Sequence, residues 1–140
     1  MSLEENRTAV RRLYEDVMNA ERFDLLDQLA VSDYVEHSPF PGQRAGIAGL
    51  KARLTAVRTG LAAQYTLHHV FGEGDMVAAH WTMTGKHEGP LMGIPPTNRT
   101  VQMSGIDIYR LHDRKLAEHW HVVETFEMLQ QLGAIPAPQR

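Results

Sequence analysis

The chain has 140 residues and a formal net charge of -3, and its acidic and basic residues are interspersed. This pattern offers no basic stripe for nucleic acid and no polybasic patch for a membrane surface, so neither is an expected partner. The length favours one domain over residues 1–140, while the absence of cysteine, a charged N-terminus and the lack of an apolar run of about 20 residues predict a cytoplasmic protein.

The first half of the chain is predicted to be mainly helical. Ser2 followed by Glu5 forms a capping box, and apolar residues then recur at helical spacing as far as Met18. A shorter second helix is predicted near residues 23–29, and a short strand precedes His37. A third amphipathic helix is predicted over residues 45–63, because its apolar residues recur three and four positions apart.

The second half changes to the alternation that is typical of strands. Residues 65–71 and 76–87 predict two strands joined by a Gly-rich turn, and residues 100–111 and 116–124 predict a hairpin. A short helix over 125–132 should end before Gly133. Helices followed by a four-stranded meander predict an α+β fold, in which one face of the sheet is buried under the helices.

The hairpin carries the strongest candidate site. With a turn of three residues, 112–114, Asp107 would lie opposite His119, with His121 on the diagonal at about 7 Å between Cβ atoms. Gly105 would lie opposite His121 and leave space beside it. A carboxylate, an imidazole and a gap on one face predict a small-molecule site, and an even-length turn would weaken this prediction.

Each of these residues also has a structural explanation. His121 is a candidate general base, yet histidines are often partly buried hydrogen-bonding residues. An inward-facing Asp107 needs a reason to be buried, and that reason can be catalysis or a structural pair with His119. Both interpretations remain open from the sequence.

Other candidates are assigned to the wall or the mouth of a pocket. Core packing explains the wall residues almost as well; they are Tyr14, Trp81, Met83 and Met103. His37 precedes a Ser-Pro turn at a predicted pocket mouth, and His87 alternates in phase with Trp81. The loop from Gly89 to Thr97 is interpreted as a lid, in which Leu91, Met92 and Ile94 cover an apolar ligand.

Eight histidines raise the question of a metal site. No HExxH or similar local signature is present, and His119 with His121 alone would be an incomplete ligand set. No GxSxG context or glycine-rich phosphate loop is present either. We therefore expect neither a metal nor another cofactor.

Three segments resemble the SnoaL-like polyketide cyclases, within the nuclear-transport-factor-2-like superfold. They are YVEHSP at 34–39, GDMVAAHWTMTGKHEGPLMGIPPTNR at 74–99 and IDIYRLHDRKLAEHWHVVETFEMLQQLG at 106–133. The resemblance implies a cone-shaped, curved antiparallel sheet that wraps around the N-terminal helices and encloses one pocket. It also implies a homodimer formed through outer sheet faces.

The resemblance places a catalytic position at His121. In this family an aspartate directly after the Trp acts as general base in an intramolecular aldol condensation, without a metal or a Schiff base. The family's Gln and His on the preceding strand fall at Gly105 and Asp107, so the carboxylate and the imidazole have exchanged strands. Arg114 stands where the family usually has a turn glycine, which requires an uncommon positive φ.

Three functions remain open at this point. The first is a cofactor-independent acid-base enzyme that closes a ring in a small hydrophobic or aromatic, polyketide-like carbonyl substrate, with His121 as base, Asp107 orienting it and His37 or another donor holding the enolate oxygen. The second is an isomerase or dehydratase acting in the same pocket, because the superfold also hosts ketosteroid isomerases, scytalone dehydratases and epoxide hydrolases. The third is a dimeric module that binds an apolar metabolite without turnover.

Overall fold

A computed structural model describes residues 2–136 and contains four α-helices. Helix α1 (Leu3–Arg12) begins at the predicted cap, where the Ser2 hydroxyl accepts a hydrogen bond from the Glu5 amide at 3.1 Å. It continues as a π-helical segment, Leu13–Met18. The others are α2 (Leu26–Leu29), α3 (Gly46–Leu61) and α4 (Thr125–Gln131). Within residues 2–136, none of the helices is both long and apolar enough to span a bilayer.

Five strands form one curved sheet. The strands are β1 (Ala30–Glu36), β2 (Gln64–Glu73), β3 (Met76–Lys86), β4 (Thr100–His112) and β5 (Lys115–Val123). Their spatial order is β1-β5-β4-β3-β2. The predicted four-stranded meander is present, and β1 adds a fifth strand parallel to β5. The sheet is otherwise antiparallel, so the expected α+β fold is confirmed.

The concave face of the sheet packs against the helices and forms the core. Alternate residues of β3 face inward and are almost fully buried, while α1, the π-helical segment and α3 supply the opposing apolar side chains. Two irregularities, near His68 in β2 and near Ala117 in β5, interrupt the antiparallel pairing, and a third lies in β1 where it pairs with β5. Such bulges increase local bend and twist, which suits a sheet that wraps around helices.

The hairpin turn is shorter than predicted. His112 pairs with Lys115, so the turn contains two residues, Asp113 and Arg114. Both have positive φ, 48° and 62°, as a type I′ turn requires. The expectation of a positive φ at Arg114 is confirmed, and the expectation of a three-residue turn was wrong.

An extra residue of β5, Ala117, offsets the effect of the even-length turn. Beyond this bulge Asp107 pairs with His121, and Tyr109 pairs with His119, so the predicted pairing of Asp107 with His119 was wrong. The shorter turn and the bulge each shift the register by one residue. Because the total shift is two, the side chains predicted to share a face still do so.

The connection between β3 and β4 is fastened to α3. The amides of Glu88 and Gly89 both donate to the Gly60 carbonyl oxygen, at 2.9 and 3.2 Å. Leu91 and Ile94 exchange backbone hydrogen bonds, which closes a small loop around Met92. This arrangement holds residues 88–94 against the end of the helix.

Arg114→Gly should stabilise the protein. A non-glycine residue in the left-handed region costs about 1–2 kcal/mol, and glycine removes most of that cost. We expect the free energy of unfolding in urea to rise by about 0.5–1 kcal/mol. Lys115→Gly, at the next position within β5, is the matched control and should lower it. A lower stability for Arg114→Gly would contradict the strained turn.

Candidate active site

A cavity of about 320 Å³ lies between the concave sheet face and the helices. Most of its lining is apolar, and its polar atoms come from a few side chains. Those side chains include Asp107, His121, Tyr109 and Arg53. Phe40 and Arg53 also border a shallower surface depression, so this side forms the rim of the cavity.

Asp107 is the buried centre of the site, and its side chain is 7% exposed. Its Oδ2 accepts hydrogen bonds from the Trp81 indole N–H at 2.7 Å and from the Tyr14 hydroxyl. Its Oδ1 lies 2.8 Å from His119 Nε2. Burial alone would raise the pKa of Asp107, but these donors outweigh it and lower the pKa. Asp107 is therefore an ionised carboxylate whose oxygens are already engaged.

Tyr14 reaches Asp107 from the π-helical segment. The Asn19 amide donates to the Tyr14 carbonyl at 2.9 Å, five residues back, which marks the wider π-helical turn. Asn19 also holds β2 by exchanging hydrogen bonds with the Tyr65 backbone at 2.7 and 2.9 Å. Such turns frequently occur at functional sites, and here the turn carries a phenol hydroxyl to a buried carboxylate.

His119 lies between two carboxylates. Its Nε2 faces Asp107, and its Nδ1 lies 2.7 Å from Glu36 Oε2. Burial alone would lower the pKa of His119, but the hydrogen bonds to both carboxylates raise it. Because a neutral imidazole donates from only one nitrogen, this geometry is that of an imidazolium that donates from both.

Glu36 extends this interaction towards α3. Burial alone would raise its pKa, but the hydrogen bond and charge of His119, followed by the charge of Arg53, lower it. Arg53 Nη1 donates to Glu36 Oε1 at 3.1 Å, and the Tyr34 hydroxyl donates to the same oxygen at 3.1 Å. Asp107, His119, Glu36 and Arg53 thus form a row of alternating charges, here called the charge row.

His121 stands beside this row and faces the cavity. Its Nδ1 is 3.7 Å from Asp107 Oδ1, too long for a hydrogen bond, and its ring contacts Phe40 at a centroid distance of 6.1 Å. Neither ring nitrogen has a hydrogen-bond partner among residues 2–136. Burial, followed by the charges of His119 and Arg53, lowers the pKa of His121. The imidazole is therefore neutral at pH 7, with a lone pair available to a ligand.

The structure brings most of the predicted site residues together, in two layers. Asp107, His121, Trp81, Met92 and Met103 line the cavity. Behind them, without lining it, lie Tyr14, Met83, Gly105 and His119. Gly105 leaves no gap, because an added Cβ would collide with Trp81 and lie 2.8 Å from Val123 Cγ1. The glycine instead makes room for the indole that binds Asp107.

Two predicted residues lie away from the cavity. The His37 ring stacks on the Trp120 ring on the outer side of the sheet, with 4.5 Å between the ring centroids. His37 Nε2 lies 3.0 Å from Glu118 Oε1. His87 is fully buried at the base of the 88–99 connection, where its Nδ1 accepts from the Thr97 amide at 3.2 Å. Neither lines the cavity, so the predicted ligand contacts of His37 and His87 were wrong.

Sequence reasoning missed Glu36 and Arg53. Glu36 precedes His37, so it shares the short strand but points to the other face. Arg53 lies beside the apolar stripe of α3, and a cation in such a position is usually interpreted as solvent-exposed. Only tertiary packing shows that the side chains of Arg53 and Glu36 are 8% and 3% exposed. A cation close to the apolar stripe was the single available signal.

Asp107, His119 and His121 could supply three metal ligands. One ligand atom from each lies within 4.8 Å of the others. Both nitrogens of His119 and both oxygens of Asp107 are, however, engaged in hydrogen bonds. A metal would have to displace these contacts, so the donor set fits proton chemistry better than metal ligation.

Comparisons with a family model and with known proteins indicate the same family. The model of the SnoaL-like polyketide cyclase family matches residues 8–132. A curated relative, nogalonic acid methyl ester cyclase of Streptomyces nogalater, is 28% identical over 118 residues, which cover 82% of this chain and 88% of the relative.

Two solved structures have the same fold. TsrD from Streptomyces laurentii is 26% identical with a TM-score of 0.87, covering 96% of this chain and 99% of its own. IdmH from Streptomyces antibioticus, described as a putative polyketide cyclase, is 26% identical with a TM-score of 0.79, covering 91% and 98%.

Proposed function

Because the chain belongs to the SnoaL-like polyketide cyclase family, we propose that it is a cofactor-independent enzyme that closes a ring in a polyketide-like carbonyl compound. The reaction is an intramolecular aldol-type ring closure, an addition without loss of water, by acid-base catalysis. The name of the curated relative, a cyclase of a methyl ester, supports this class of substrate. The apolar cavity wall suits a hydrophobic or aromatic carbon skeleton.

The neutral His121 imidazole beside the ionised Asp107 carries this proposal. His121 removes a proton from a carbon that is acidified by adjacent carbonyl groups, leaving an enolate. The enolate carbon attacks a second carbonyl carbon of the same molecule, and a carbon-carbon bond forms as the C=O double bond opens. His121 returns its proton to the resulting alkoxide, so substrate and product have the same mass.

Asp107 serves as the counter-charge, and it is a poor base. Its oxygens already accept hydrogen bonds from Trp81, Tyr14 and His119, and a proton on Asp107 would break one of them. When His121 becomes an imidazolium, its Nδ1 is 3.7 Å from Asp107 Oδ1. A small rotation then forms a charge-assisted hydrogen bond, which stabilises the protonated base.

A homodimer through the outer sheet face forms part of this proposal. Four large apolar residues lie side by side there on β4 and β5: Ile106 pairs with Val122, and Ile108 pairs with Trp120. Val122 is 78% exposed and Ile106 is 48% exposed. Neighbouring exposed apolar side chains of this kind mark interaction surfaces, and a face on one sheet can pair with itself about a two-fold axis.

The variant His121→Ala tests the proposed base. The substrate is nogalonic acid methyl ester, the compound that appears in the name of the curated relative. The wild type should form a ring-closed isomer of unchanged mass, observed by chromatography and mass spectrometry. We expect His121→Ala to lower the rate about 10²- to 10⁴-fold. His112→Ala, at an exposed histidine that ends β4 beside the hairpin turn, is the matched control and should keep the wild-type rate.

The pH dependence gives an independent check on the same experiment. The base form of His121 is complete above its pKa and is lost as pH falls through it. Because that pKa is lowered, the wild-type rate should fall only below about pH 6.5, the ordinary value. In the substrate assay, equal rates for the wild type and His121→Ala would contradict a catalytic role for His121. A product that has lost water would indicate a dehydratase.

Val122→Asp tests the dimer by placing a charge in the apolar face. We expect the wild type to have the mass of a dimer by light scattering and Val122→Asp that of a monomer, because a buried unpaired charge is costly. Gln28→Asp, at an exposed position of α2, adds the same charge elsewhere and should remain dimeric. A monomeric wild type would contradict the proposal.

A further inference from the structure

Arg53 projects from α3 to the cavity and retains free donors. Its side chain is 8% exposed, and its guanidinium carbon lies 5.2 Å from the centre of the Phe40 ring. Glu36 accepts one hydrogen bond from Nη1, and the other guanidinium N–H groups have no acceptor among residues 2–136. Since a guanidinium has five donors, Arg53 can bind a ligand while it stays paired with Glu36.

Arg53 is also the positive end of the charge row. The two middle members, His119 and Glu36, lie behind the wall of the cavity, and the two ends, Asp107 and Arg53, line it. The negative end lies beside His121. Phe40 contacts both the His121 ring and the Arg53 guanidinium, so it lies between the two functional groups.

We propose that Arg53 is the oxyanion-binding residue of this site, and that the preferred ligand is an acidic β-dicarbonyl compound bound with its enolate oxygens on the guanidinium. This inference rests on the proposed function, whose base is His121. It assigns a direction to the substrate: the acidic carbon faces His121, and the carbonyl oxygens face Arg53 at the rim of the cavity.

The charges that form during proton transfer match the two ends of the row. The row carries two positive and two negative groups, so it is neutral before a ligand binds. Proton transfer makes an imidazolium at His121, beside the negative end, and an enolate oxygen, beside the positive end. Because both partners are held in place by the fold, little reorganisation is needed as charge develops.

A purely structural Arg53 would behave differently. In that case its role would end with the ion pair to Glu36, and removal of the guanidinium would lower stability without changing the preference for charged ligands. Oxyanion binding requires that the preference for an anion itself depend on Arg53. Comparing a charged ligand with its neutral counterpart separates the two roles.

Calorimetric titration at pH 7.5 with dimedone and with its enol methyl ether makes this comparison. Dimedone is a cyclic β-diketone that is mainly an enolate at this pH, and the ether has nearly the same shape without the charge. The variants are Arg53→Met, Arg53→Lys and the control Arg58→Met. Arg58 lies on the same helix and pairs with Glu21, but it does not line the cavity.

The wild type should bind dimedone at least about tenfold more tightly than the ether, because a charge-assisted hydrogen bond is lost with the ether. Arg53→Met should abolish that preference, Arg53→Lys should keep part of it and Arg58→Met should keep all of it. A wild type without the preference overturns the inference, as does an Arg53→Met variant that keeps it.

These outcomes are independent of turnover. An Arg53-dependent preference in a protein that closes no ring would support the anion site and contradict the proposed function. Ring closure that depends on His121, with no preference for dimedone in the wild type, would support the proposed function and overturn the role of Arg53.

Discussion

The site depends on one buried carboxylate. Asp107 accepts hydrogen bonds from an indole, a phenol and an imidazolium, which come from β3, the π-helical segment and β5. A charge in such a place is tolerated only when it is paired and hydrogen-bonded. The three donors therefore hold three separate elements in register around Asp107. Loss of one partner of a buried pair of this kind costs about 3–5 kcal/mol.

This constraint gives the two histidines of β5 different states. His119 and His121 are two residues apart, and their rings meet edge to face at 5.1 Å. His119 lies between two carboxylates and is held as a cation, while His121 lies beside that cation in a partly buried, apolar setting. The positive charge of His119 helps to keep His121 neutral. Two side chains of the same type thus differ in charge: His119 is a cation with a structural role, and His121 is a neutral imidazole.

The sequence predicted the main helices, the four-stranded meander and the shared face of Asp107 and His121, because local periodicity and the family resemblance define them. The parallel pairing of β1 with β5 was not predicted. The sequence did not predict the register, since the family resemblance indicated the positive φ at Arg114, but no residue pattern indicated the length of the turn or the bulge at Ala117. Arg53 and Glu36 were missed for another reason. Their pairing joins α3 to β1, and only the packing of the helix on the sheet brings them to the cavity.

Nitrogen NMR of the histidine side chains at pH 7 tests the charge states of His119 and His121, because the nitrogen shifts distinguish neutral rings from protonated ones. We expect an imidazolium at His119 and a neutral ring at His121, with His119 keeping its charge at a higher pH than His121. A neutral His119 together with a protonated His121 would contradict these charge states. Asp107 would then have no cation beside it, and the cavity would contain no neutral imidazole that could act as a base.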